Sequence, residues 1–179
     1  MRKKLITAII ALSLVLSCMV GITVAWLSTK TTTVTNTFTP SDITITLDES
    51  DGLDLQMVPG KIITKDPVVT VKGRSEACWL FIKIDESANF DNFMTYELDG
   101  WTVVPGESNI YYRQVPASTA DQAFHVIAGD TVTVRDTVTK QMMNALTADT
   151  YPTLKFTAYA IQQAGFDAAA AWTEAQKLG

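Results

Sequence analysis

Ala77-Cys78-Trp79-Leu80-Phe81-Ile82-Lys83-Ile84 is the stretch that decides the fold class. In an extended chain, period-two alternation sends Cys78, Leu80, Ile82 and Ile84 to one face and Trp79 and Phe81 to the other. A run that is apolar on both faces reads as a central strand covered on both sides. Within it, Cys78 reads as a small buried apolar residue rather than a nucleophile.

Outward from this strand, the chain continues to alternate. Pro67-Val68-Val69-Thr70-Val71-Lys72 follows a Val58-Pro59-Gly60 turn and stops at Gly73. Trp101-Thr102-Val103-Val104 ends at Pro105-Gly106, and residues 110–115 resume before Pro116. Ala123-Phe124-His125-Val126-Ile127 leads through Ala128-Gly129-Asp130 into Thr131-Val132-Thr133-Val134, which predicts a hairpin. Ile43-Thr44-Ile45-Thr46-Leu47 and residues 153–161 alternate in the same way. About eight short strands rich in β-branched and aromatic residues predict an all-β sandwich.

Two segments read as helical. Residues 137–146 carry Val138, Met142, Met143 and Leu146 at near-helical spacing, which predicts a short surface helix. Asp167 is an N-cap for an alanine-rich helix over 167–177, with Phe166 just before it. About ten residues seldom hold a helix in isolation. Trp172, Ala168 and Ala175 must therefore dock on the sandwich.

The amino-terminal residues read differently. Arg2, Lys3 and Lys4 precede an apolar run from residue 5 to residue 24, the pattern of a secretion signal over residues 1–25. Thr23 and Ala25 suit the −3 and −1 positions of a cleavage site, which makes Trp26 the first mature residue. An uncleaved membrane span and lipidation at Cys18, within Val15-Leu16-Ser17-Cys18, are the alternatives. After cleavage the net charge falls from −5 to −8, because the leader's charges are all basic. A surface this acidic argues against nucleic acid and anionic membranes as partners. Only Cys78 then remains, so no intramolecular disulfide can form.

The inventory for catalysis is thin. The chain has one histidine, His125, and no His-Glu-x-x-His pair or Gly-x-Ser-x-Gly elbow, so neither a zinc hydrolase nor a serine triad can be assembled from recognised parts. His125, between Phe124 and Val126, reads as an outward-facing or hydrogen-bonded structural residue. Asp48-Glu49-Ser50-Asp51-Gly52-Leu53-Asp54 lacks the EF-hand spacing and reads as a solvated acidic loop, with calcium binding as the alternative. Trp79, Trp101, Tyr111 and Tyr112 belong in or beside a sandwich core, the alternative being an aromatic binding surface. Nothing in the sequence calls for a cofactor.

Residues 26–38, Trp26-Leu27-Ser28-Thr29-Lys30-Thr31-Thr32-Thr33-Val34-Thr35-Asn36-Thr37-Phe38, favour extended backbone and offer little apolar surface. Val34 and Phe38 share one face of such a strand. From the residues alone, this is a solvated spacer or a strand that finds its partner elsewhere.

Several blocks together resemble the TasA/camelysin family of secreted proteins of Gram-positive bacteria. They are Gly21-Ile22-Thr23-Val24-Ala25-Trp26-Leu27-Ser28, Val34-Thr35-Asn36-Thr37-Phe38-Thr39, Ile43-Thr44-Ile45-Thr46-Leu47, Pro59-Gly60-Lys61-Ile62-Ile63-Thr64-Lys65-Asp66-Pro67, the strand from Ser75 to Ile84, and the ending from Phe156 to Asp167. Pro40-Ser41-Asp42 stands where many relatives carry a glycine-containing turn. The resemblance implies a jelly-roll-like sandwich over residues 39–179, processing by a SipW-type signal peptidase, and head-to-tail polymerisation into extracellular fibres of the biofilm matrix or cell surface. An accessory or anchoring matrix protein is a further implied partner. In that scheme residues 26–38 are a donor strand, with Trp26, Leu27, Val34 and Phe38 as the assembly residues. The resemblance also brings one alternative, a camelysin-like surface metallopeptidase; the aromatic residues Trp79, Trp101, Tyr111 and Tyr112 bring another, a monomeric surface binding module.

Overall fold

The alternation around Trp79 becomes the central strand of a sheet. The computed structural model describes residues 42–50 and 56–178. In chain order its strands are β1 (Ile45–Asp48), β2 (Ile62–Thr64), β3 (Val68–Val71), β4 (Cys78–Glu86), β5 (Met94–Thr95), β6 (Thr102–Val103), β7 (Ile110–Val115), β8 (Gln122–His125), β9 (Thr131–Val134) and β10 (Leu154–Gln162). Three short helices accompany them: α1 (Phe90–Phe93), α2 (Lys140–Asn144) and α3 (Ala168–Ala175).

All the pairing is antiparallel, in three sheets ordered β10-β4-β7-β6, β1-β3-β8 and β2-β9-β5. β4 is held on both edges: β10 runs beside it from Leu154↔Glu86 to Gln162↔Cys78, and β7 from Ile110↔Lys83 to Val115↔Cys78. Its Cys78, Leu80, Ile82 and Ile84 face pack with Val69 and Val71 of β3, with Val115 and Val126, and with Trp101. This is the core of an all-β sandwich, as the alternation predicts. Each fully buried aliphatic side chain there contributes about 1.5–3 kcal/mol of transfer free energy.

The other face of β4 is covered by α3. Asp167 caps that helix by accepting a hydrogen bond from Ala170 N–H at 2.8 Å. Ala171, Trp172 and Ala175 are buried against Phe81 and Val104, and the Trp172 ring lies 5.5 Å from those of Phe81 and Tyr159. Both indoles are anchored at their polar ends: Trp79 Nε1 donates to Phe166 C=O and Trp172 Nε1 to Glu107 Oε1. The helix expected at 137–146 is the one turn of α2, capped by Thr139, whose hydroxyl accepts from Met142 N–H. Val138, Met142, Met143 and Leu146 gather there against Ile63 and Phe93.

The hairpin expected across Ala128-Gly129-Asp130 does not form. β8 pairs with β3, whereas β9 pairs with β2 and β5, so the link carries one chain onward from one sheet to the next. Gly129 (φ 64°) and Asp130 (φ 53°) adopt left-handed backbone, and these produce a bend rather than a reversal. The facing chain bends at the same level, at Pro67, which has no N–H to give to a ladder. Val126 N–H donates to Pro67 C=O and Lys65 N–H to Asp130 C=O, so the two bent chains stay side by side through the corner.

Candidate functional site: a groove between two strand edges

The residues that the sequence nominates for assembly, Trp26, Leu27, Val34 and Phe38, lie outside the described residues, as do Thr23 and Ala25 of the expected cleavage site. The candidates for other chemistry are described. Cys78 is fully buried, and that burial pushes its thiol up to about 11. His125 is half-exposed on β8, with Nδ1 2.8 Å from Asp130 Oδ1. Cys78 and His125 sit on different sheets, and no group of three or more His, Cys, Asp or Glu among the described residues is placed to hold a metal ion.

In the acidic segment, each described side chain is engaged. Asp48 accepts from the Thr46 hydroxyl at 2.9 Å, Glu49 pairs with the Lys65 ammonium, and Ser50 donates to Asp66 from both its N–H and its hydroxyl. Those bonds hold the Asp66 carboxyl below the usual carboxylate range. Together they staple the end of β1 to the corner before β3. Asp51 and Asp54 lie outside the described residues. Of the aromatic candidates, Trp101 is buried with its Nε1 donating to His125 C=O, while Trp79, Tyr111 and Tyr112 are half-buried on β4 and β7.

A concavity opens beside Lys65, the partner of Glu49. Among the described residues, β2 is the outermost strand of its sheet and β10 the outermost strand of the β4 sheet. Between β2 and the start of β10 opens a groove of about 710 Å³. Ile63, Phe90, Met94 and Val132 form its floor, with Met57 on one wall and Leu154 on the other. Two cations, Lys65 and Lys155, stand at its rim together with Tyr151. Lys65 is fixed there by Glu49 and by the Phe156 ring, whose centroid is 5.6 Å from its Nζ. Tyr151 at the groove is more than half exposed, as are Val58 and Ile62 nearby in the chain.

The local sequence explains why the gap stays open. Val58-Pro59-Gly60-Lys61 is a tight turn, closed by Lys61 N–H donating to Val58 C=O, with Gly60 at φ 76°. It brings Met57 back toward the groove. Sequence reasoning placed the turn but not β2 or the groove. The only signal available was the Ile62-Ile63 pair, too short to show a period.

With this geometry in hand, comparisons with protein families, with curated proteins and with solved structures found no match to the chain.

Proposed function

We propose that this chain is a secreted, non-enzymatic structural protein that self-assembles head-to-tail into extracellular fibres. In this reading a segment within residues 26–38 of one subunit adds as a strand to the sheet of the next. The observation that carries it is the apolar groove between β2 and β10, each the outermost strand of its sheet among the described residues. Strand addition needs this combination: a free edge supplies backbone hydrogen bonds, and an apolar trough accepts alternate side chains. The sequence supplies a matching strand, threonine-rich and extended, with Val34 and Phe38 on one face. The signal-like leader sends that strand outside the cell, and a head-to-tail contact of this kind does not close on itself.

A test is electron microscopy of purified residues 26–179 beside a version starting at Thr39. Fibres from the longer protein alone are expected. Equal polymerisation by the shorter one, or a longer form that remains monomeric under every condition, would remove strand donation from consideration.

A further inference from the structure

We infer that a polar pocket at the carboxyl end of β4 binds one neutral sugar residue of a glycan. The pocket has a volume of about 390 Å³ and shares no lining residue with the groove, so it stands apart from the assembly reading. Its lining comes from three parts of the chain. Ile84, Asp85 and Glu86 finish β4, Tyr96 follows β5, and Ser108, Asn109 and Tyr111 belong to the turn into β7 and its start. Ile84 N–H donates to Asn109 C=O at 2.9 Å, which ties that turn to β4. Tyr96 is fixed at both ends: its ring meets that of Phe90 edge-on, with centroids 5.8 Å apart, and its hydroxyl donates to Glu86 Oε1. Burial, and then that bond, push the Tyr96 hydroxyl well above its ordinary range, so it stays a donor.

The donors and acceptors left over define the ligand. Among the described residues, Glu86 makes no ion pair, and its Oε2 has no hydrogen-bond partner. The Ser108 hydroxyl and the Asn109 side-chain amide have none either, although Ser108 C=O accepts from the Tyr111 hydroxyl at 3.3 Å. Six of the seven lining residues carry polar side chains, so an apolar ligand would strand them. An anion would face Asp85 and Glu86 with no cation in the lining. A divalent cation would want more oxygens than these: Asp85 is already paired with Lys83 at 3.1 Å, and no third metal-ligating side chain joins the two carboxylates. A small ammonium would suit Glu86 but leave the Asn109 and Ser108 donors without acceptors. Sugar hydroxyls donate and accept at once, so they satisfy carboxylate, amide and hydroxyl together. The half-buried rings of Tyr96 and Tyr111 offer apolar surface to the C–H face of the same sugar.

The experiment is saturation-transfer difference NMR on residues 26–179, which reads bound ligand whether the protein is monomeric or assembled. The probes are methyl α-glucoside, methyl β-galactoside and N-acetylglucosamine, with n-butylammonium chloride as the cationic control. A saturable signal from at least one sugar is expected at concentrations up to about 0.1 M. Asn109→Ala and Glu86→Gln, the second of which keeps an oxygen for Tyr96, should each weaken that binding about tenfold at an unchanged melting temperature. Ser108→Ala, at an exposed position, should weaken it several-fold and serves where the other two prove unstable. No signal from any sugar, a signal from butylammonium alone, or a sugar signal that all the folded variants leave intact would each overturn the assignment.

Discussion

Gly73 shows how tightly single residues are specified at the end of β3. A Cβ built there would lie 2.5 Å from Thr119 C=O oxygen and 3.0 Å from its carbonyl carbon, both backbone atoms that cannot swing away. The close approach is itself held by hydrogen bonds: Gly73 N–H donates to Asp121 Oδ1 at 2.7 Å and Arg74 N–H to Ser118 C=O. The first of these, with Lys72 beside it, keeps the Asp121 carboxyl below its ordinary range. Gly73→Ala must push the two loops apart, and a loss of about 1–3 kcal/mol is expected, read from the midpoint of urea unfolding. An unchanged midpoint would mean that the loop carrying Thr119 yields freely. The demand is steric rather than conformational, so the sequence shows Gly73 only as a strand terminator. Nothing near it in the chain announces Thr119.

Among the elements, α3 is the one whose role follows most directly from its residues. Eight residues of helix have little independent stability, so the buried face of Ala168, Ala171, Trp172 and Ala175 must supply what the backbone cannot. Trp172→Ala is expected to cost about 3–5 kcal/mol, because it empties the space between Phe81 and Tyr159. Trp172→Phe should retain most of that stability while losing the bond to Glu107. Equilibrium denaturation of both variants checks this; equal stability would mean that the helix is only loosely seated. β4, β7, β10 and the capped α3 were legible because each carries its own period or cap within one segment. α1, β2 and β5 were not, since two to four residues hold too little pattern and owe their form to partners such as Val134 and Thr133. The hairpin reading of Ala128-Gly129-Asp130 erred for a related reason. Its glycine signals a left-handed residue, but whether that residue makes a reversal or a corner is decided by β2 and β3, more than fifty residues upstream.

On the scale of the whole molecule, the groove is a property of no single segment. Its floor joins Ile63, Phe90 and Val132, and its far wall is Leu154, so residues some ninety positions apart must converge before it exists. The sequence could nominate a donor, because a threonine-rich strand is local, but not an acceptor. In the proposed head-to-tail assembly the giving and receiving parts differ, which has a consequence that a symmetric contact lacks. Under that proposal a subunit without residues 26–38 keeps the groove and lacks the donor, so it would receive a neighbour's strand without passing the chain on. Mixing in the version that starts at Thr39 should therefore cap fibres rather than dilute them, and one such subunit in ten should limit the mean fibre to about ten subunits. Fibre lengths measured by electron microscopy across a series of mixing ratios test this. Lengths that fall inversely with the shortened fraction are the expected result. Lengths that do not respond would mean the shortened subunit is not accepted, and the domain alone would then be insufficient to form the receiving site.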